Sequence, residues 1–154
     1  MLKGIPKILS PELLKILAEM GHGDEIVIAD GNFPSENYGK RVIRADGIGG
    51  EAMLSAVLAL IPLDTYAQEN FVLMKTVEGD DPNPPVWQAY RKIAHAADDN
   101  VKEAFAERFA FYERAKGAYA VIATGEERTY ANIILKKGVV REEIEWRTLA
   151  PHHL

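Results

Sequence analysis

The feature that most constrains this chain is the order in which its apolar segments change period. Short runs rich in β-branched and aromatic residues, read as strands, cover 25–29, 41–45, 71–77, 119–123 and 130–135. Stretches with apolar residues three and four apart, read as helices, cover 10–20, 51–60 and 86–97, with a further helical stretch inside 101–116. The segment 105–111 has mixed periodicity, so a short strand followed by a helix from about Phe109 is an alternative there. The order is helix, strand, strand, helix, strand, helix, helix, strand, strand. That order predicts a layered α/β/α single domain with a mostly parallel or mixed central sheet. At 154 residues and 47% hydrophobic content the chain is long enough and apolar enough for one such core.

Local signals sharpen several elements. Ser10-Pro11-Glu12 starts the first helix: Ser10 caps, Pro11 suits the first turn and Glu12 complements the helix dipole, while Gly21 ends it. The 51–60 helix is apolar around much of its circumference, which places it between layers or between subunits. The stretch 31–40 reads as a loop that either covers a pocket or simply connects. The acidic, proline-rich stretch 78–85 reads as a turn or surface loop. The tail 141–154 is charged around Trp146, and reads as a short packed helix or a loose extension of a domain spanning 1–140.

Charge and composition narrow the function. A net charge of −5, a pI near 5.4 and one adjacent lysine pair, Lys136-Lys137, give no nucleic-acid footprint. With no cysteine there is neither a disulfide framework nor a thiolate metal site, and no histidine pair has a third ligand at metal spacing, so no metal is expected. Residues 1–20 lack the pattern of a secretory signal, and no apolar run is long enough to span a bilayer. A cytoplasmic protein is the expectation. No P-loop, dinucleotide fingerprint or nucleophile elbow is present, although Gly47-Ile48-Gly49-Gly50 opens a helix whose start could bind an anion.

Chemistry concentrates in a few polar residues. His22 lies between two glycines at the entry of the 25–29 strand, and Asp30 lies at its exit, a common ligand-contacting position in open α/β sheets. A plain loop histidine and a turn aspartate are the structural alternative. Tyr130 and Asn132, two apart in an expected strand, would share a face and offer donors and acceptors suited to hydroxyl groups. Arg108 and Tyr112, four apart, would share a helix face. His95 is expected on a solvated helix face, and His152-His153 as a chance pair in the tail.

Together these motifs resemble the L-fucose mutarotase family, which is related to the D-ribose pyranases. The resemblance runs over about 1–140. It rests on Ser10-Pro11-Glu12-Leu13-Leu14, Met20-Gly21-His22-Gly23-Asp24-Glu25, Asp30, Asn32-Phe33-Pro34, Arg44-Ala45-Asp46-Gly47, Leu63-Asp64-Thr65-Tyr66, Arg108-Phe109-Ala110-Phe111-Tyr112-Glu113-Arg114-Ala115 and Tyr130-Ala131-Asn132-Ile133-Ile134-Leu135-Lys136-Lys137-Gly138. It implies cofactor-free interconversion of the α and β anomers of a monosaccharide, L-fucose first. It implies His22 as proton donor and Tyr112 as a second catalytic group. Asp30, Arg108, Tyr130 and Asn132 would hold the sugar, with Asp64 beside the site. It also implies a homo-oligomer, commonly a decamer, with sites at subunit interfaces. Tyr130-Ala131-Asn132 is shared with the pyranases, so pyran/furan interconversion of D-ribose is the alternative in the same class. A non-catalytic monosaccharide-binding module is the alternative in another.

One expectation is independent of any family. A straight 24–29 strand rising ~3.3 Å per residue leaves His22 and Asp30 roughly 20 Å or more apart, too far for one monosaccharide. Either the backbone bends back at Gly23, or the two residues of one site come from different subunits.

Overall fold

A computed structural model describes residues 1–141, and the tail readings for 142–154, Trp146 and His152-His153 included, lie outside the described residues. In chain order the elements are α1 (Pro11–Glu19), β1 (Glu25–Ala29), α2 (Ser35–Tyr38), β2 (Val42–Ala45), α3 (Gly50–Leu58), β3 (Phe71–Met74), α4 (Pro85–Ala97), β4 (Glu103–Ala106), α5 (Arg108–Gly117), β5 (Ala120–Thr124) and β6 (Ile133–Lys136). The strands form one sheet in the order β2-β5-β1-β6-β3-β4. β1 and β2 run parallel to β5, and β3 runs parallel to β4. β6 is antiparallel to both β1 and β3. Five strands therefore share one direction and β6 alone is reversed, which makes the sheet mixed.

The two-residue period of the strands sorts their side chains into two cores. Ile26, Ile28, Phe71, Leu73, Ile122, Ile133 and Leu135 face α1, α3 and α4. Val27, Ala29, Val72, Met74, Val121 and Ile134 face α5 and the α2 segment through Phe111, Ala115 and Phe33. The layers are thus helix, sheet, helix. The strands read as near-continuous apolar runs because both faces are covered.

Ser10 caps α1 as expected, its Oγ accepting the Leu13 N–H at 3.1 Å. The apolar α3 takes the first of its two expected placements. Met53, Leu54 and Val57 are fully buried inside this one chain, between the sheet and α4, so the helix leaves no apolar surface that calls for a partner. The mixed stretch 105–111 resolves into β4 and then α5. Glu107 separates them because its carboxylate accepts the Phe109 and Ala110 N–H groups at 3.0 and 3.2 Å and starts the helix.

Three boundaries differ from the sequence reading. The loop at 31–40 contains the single turn α2. β3 stops at Met74 rather than 77, after which the chain leaves the sheet as an exposed loop to Pro84. Tyr130, Ala131 and Asn132 are not part of β6, and Tyr130 sits in the left-handed region at φ +57°.

Candidate active site

The C-terminal ends of the five like-directed strands and the start of the reversed β6 meet along one edge of the sheet. Ligands in open α/β sheets bind at such an edge. Asp30 leaves β1 there and is only 4% exposed. Its N–H donates to Asn132 Oδ1 at 2.7 Å, and Asn132 Nδ2 donates back to Asp30 Oδ2 at 3.1 Å. The Ala131 N–H also reaches Oδ2 at 3.2 Å, and the Asn32 N–H reaches Oδ1 at 3.0 Å. Burial pushes the Asp30 carboxyl above its ordinary range, against the pull of these donors. Asp30 is therefore both the fixed point of the edge and an acceptor with little freedom to move.

Tyr130 and Asn132 reach the same pocket as expected, but through a turn rather than strand alternation. A tyrosine in the left-handed region costs of order 1–2 kcal/mol, and its neighbours hold it there. Trp87 Nε1 donates to the Tyr130 carbonyl at 3.0 Å, and Tyr90 Oη donates to the Ala131 carbonyl at 3.3 Å. Both come from α4. Tyr90 packs so closely on the start of α3 that a Cβ on Gly50 would lie 1.8 Å from its hydroxyl oxygen. The glycine-rich turn before α3 is not free to take an external anion either. Glu126 Oε1 accepts the Gly50 N–H at 3.1 Å.

From α5, Arg108 Nε donates to Tyr112 Oη at 3.1 Å, the one-face pairing expected from their spacing. The Tyr112 ring stacks on Tyr38 at 4.9 Å between centroids and meets Phe33 edge-on at 5.5 Å. Asp30, Arg108, Tyr112, Tyr130 and Asn132 line one open cavity of about 240 Å³. Asn32, Phe33, Met74, Asp80 and Thr129 complete its wall. Asp80 escaped the sequence reading. Its signal was faint: a carboxylate after a glycine in a loop that follows a strand end.

His22 and Asp64 are elsewhere. His22 precedes β1 and Asp64 precedes β3, so both sit at the opposite edge of the sheet. His22 Nε2 lies 2.9 Å from Asp64 Oδ1, and the imidazole tilts over the exposed Tyr66 ring at 5.2 Å. Asp64 is 3% exposed and accepts the Tyr66 and Ala67 N–H groups at 3.2 and 3.1 Å. Burial pushes its carboxyl up, but His22 and the two backbone donors outweigh this and the net shift is downward. The His22 side chain is 48% exposed, and Nε2 is engaged by Asp64, so Nδ1 is the nitrogen left to meet a ligand. Gly23, at φ +85°, turns the chain into β1 without carrying His22 back toward Asp30. The five residues of β1 alone put about 13 Å between the two edges. One chain therefore assembles five of the seven expected residues and leaves the histidine–carboxylate pair on the far side.

Among the described residues, no group of three or more His, Cys, Asp or Glu is arranged to hold a metal ion, and no helix is long and apolar enough to cross a membrane. The model of the RbsD / FucU transport protein family matches residues 3–140. The L-fucose mutarotase of Histophilus somni is 52% identical over 140 residues, covering 90% of this chain and 97% of that protein. A fucose mutarotase from Streptococcus pneumoniae, solved in complex with L-fucose, superposes with a TM-score of 0.87 at 49% identity, covering 91% of this chain and all of that one. Bacillus subtilis RbsD, solved with D-ribose, superposes with a TM-score of 0.68 at 26% identity, covering 92% of this chain and all of that one.

Proposed function

Because this chain belongs to the RbsD / FucU transport protein family, we propose that it is an isomerase that interconverts the α and β anomers of L-fucose. The observation that carries the reading is the cavity itself. Its acceptors (Asp30, Asn132) and donors (Arg108, Tyr112) are anchored before any ligand arrives, and all suit sugar hydroxyls. Fucose is preferred to ribose because the relative solved with L-fucose is 49% identical and the one solved with D-ribose is 26% identical.

Anomer exchange requires that the proton on the anomeric hydroxyl be removed while the ring oxygen is protonated. The ring opens to the aldehyde, the carbonyl turns, and the ring closes on its other face. Proton transfer is the whole demand, and each positioned acid or base contributes about 10²–10⁴-fold. In our reading His22 protonates the ring oxygen through Nδ1, and Asp64 fixes the orientation of its ring through Nε2. Tyr112 or Tyr130 serves the anomeric oxygen. Asp30, Arg108 and Asn132 hold the remaining hydroxyls.

The site is composite. The cavity of one copy receives His22 from a second copy, in a closed homo-oligomer of the kind the family resemblance implies, a decamer. The separation of His22 from Asp30 within one chain supports this, whereas α3, buried in its own chain, adds nothing to it.

Saturation-transfer NMR between the anomer signals of L-fucose tests the reaction, with D-ribose alongside. The intact protein is expected to exchange fucose anomers well above the buffer rate, and His22→Ala to lose about 10²-fold or more while still binding fucose. Exchange undiminished in that variant removes His22 from the mechanism. Saturable fucose binding with exchange at the buffer rate makes the chain a binding module.

A further inference from the structure

The mechanism leaves open how the hydroxyls of Tyr112 and Tyr130 are oriented toward the sugar. The hydroxyl of Tyr130 is engaged by the exposed loop between β3 and α4. Tyr130 Oη donates to Asp80 Oδ2 at 2.5 Å and accepts the Val77 N–H at 3.3 Å. A phenol has one proton and two lone pairs. Its proton goes to Asp80 in a charge-assisted bond, one lone pair goes to Val77, and a single lone pair remains for the cavity that Asp80 and Tyr130 both line. Tyr112 is in the complementary state. Its oxygen accepts from Arg108 Nε, which leaves its own O–H to give.

We infer that Asp80 is a positioning residue for the sugar site: by accepting the hydrogen bond of the Tyr130 hydroxyl it fixes Tyr130 as a hydrogen-bond acceptor for a sugar hydroxyl, and so leaves Tyr112 as the phenol beside it whose O–H is free to donate a hydrogen bond. The inference rests on the sugar-binding reading above. Asp80 does not bond the sugar in this scheme and acts through Tyr130. The charged groups facing the phenol are Asp80 from the loop and Arg108 from α5. Asp80 pushes the Tyr130 phenol above its ordinary range, which keeps it protonated and therefore able to hold this arrangement. Without Asp80 the hydroxyl is free to rotate and present its proton to the cavity, where it would meet a sugar hydroxyl in the wrong sense.

The test is the Kd for L-fucose, read by NMR titration of the full chain, alongside the anomer exchange rate. Asp80 is exposed, so its variants are expected to fold, with unchanged circular dichroism as the check. Asp80→Ala is expected to raise the Kd about tenfold, the equivalent of one hydrogen bond, and Asp80→Asn about threefold, since an amide accepts the proton but also turns to donate. Asp80→Glu restores most of the affinity. In a Tyr130→Phe background, Asp80→Ala is expected to add nothing, because the group it orients is gone. A wild-type Kd in Asp80→Asn and Asp80→Ala overturns the inference, as does an equal penalty with and without the Tyr130 hydroxyl. If the intact chain binds fucose but leaves anomer exchange at the buffer rate, the mutarotase reading fails, while the Kd series still decides the role of Asp80.

Discussion

Tyr130 shows what a residue's type conveys and what it conceals. As an aromatic residue before Ile133-Ile134-Leu135 it reads as a strand residue, and the sequence pattern extends β6 through it. In the structure Trp87, Tyr90 and Asp30 hold the Tyr130–Asn132 backbone in a left-handed turn, and none of these is near it in sequence. The placement of His22 before β1, of Asp30 at its exit and of Arg108 with Tyr112 on one helix face was legible, because glycine flanks, a strand exit and a four-residue spacing are local signals. Asp80 was not, since its partner lies fifty residues away. Glu126 is similar: the turn 47–50 looked open to an anion, but this distant carboxylate fills the place. The Arg128 guanidinium, and with it the Arg128 and Gly50 N–H groups, hold the Glu126 carboxyl at about 2, against burial and below its usual 4.5. A folded-state acid below its unfolded value stabilises the fold fully above pH ~4.5, and that share is lost as pH falls toward 2. Glu126→Gln is therefore expected to cost on the order of 2 kcal/mol at pH 7. In urea melts across pH the gap between variant and wild type should close between pH 4.5 and 2. A gap that persists at pH 2 would mean that the loss is packing rather than charge.

Among the elements, those with an unbroken pattern were legible at once: α1 with its Ser10 cap, β1, α3, α4 and β5. The misreadings fall where a short segment depends on its neighbours. α2 is one turn in a polar stretch, too short to show a period. β3 ends early, at Met74, because its partner β4 ends opposite it at Ala106. The direction of β6 was not legible either, since a strand pattern carries no sense of parallel or antiparallel. That direction matters for the far edge. Because β6 runs against β1, its C-terminal end returns to the start of β1, and Lys137 pairs there with the turn that carries His22. The Gly23 N–H donates to the Lys137 carbonyl and the Lys137 N–H to the Asp24 carbonyl, both at 2.9 Å. Lys137 Nζ donates to the carbonyls of Leu17 and Met20, at 2.8 and 2.6 Å, closing the end of α1 with the charge its dipole favours. Lys137→Met keeps the aliphatic stem and removes both bonds. It is expected to cost about 1–2 kcal/mol in thermal or urea unfolding and to speed amide exchange at 20–23 before other sites. Uniform exchange across the chain would place its effect on global stability instead.

For the molecule as a whole, the order of helices and strands was enough to give a three-layer α/β fold, because each layer must cover an apolar face. It was not enough to give the placement of the candidate residues, which lie on both edges of the sheet. The division has a consequence that a site complete within one chain would not share. If each site joins the Asp30 cavity of one copy to the His22–Asp64 pair of another, two inactive variants repair each other. His22→Ala keeps an intact cavity, and Asn132→Ala keeps an intact histidine pair. Co-expressed in equal amounts and mixed at random, they form about a quarter of their interfaces from one good cavity and one good histidine. Anomer exchange at about a quarter of the wild-type rate is then expected from the mixed assembly, against near-zero from each variant assembled alone. Sites confined to single chains would leave every copy defective, and the mixture would stay as inactive as its parents.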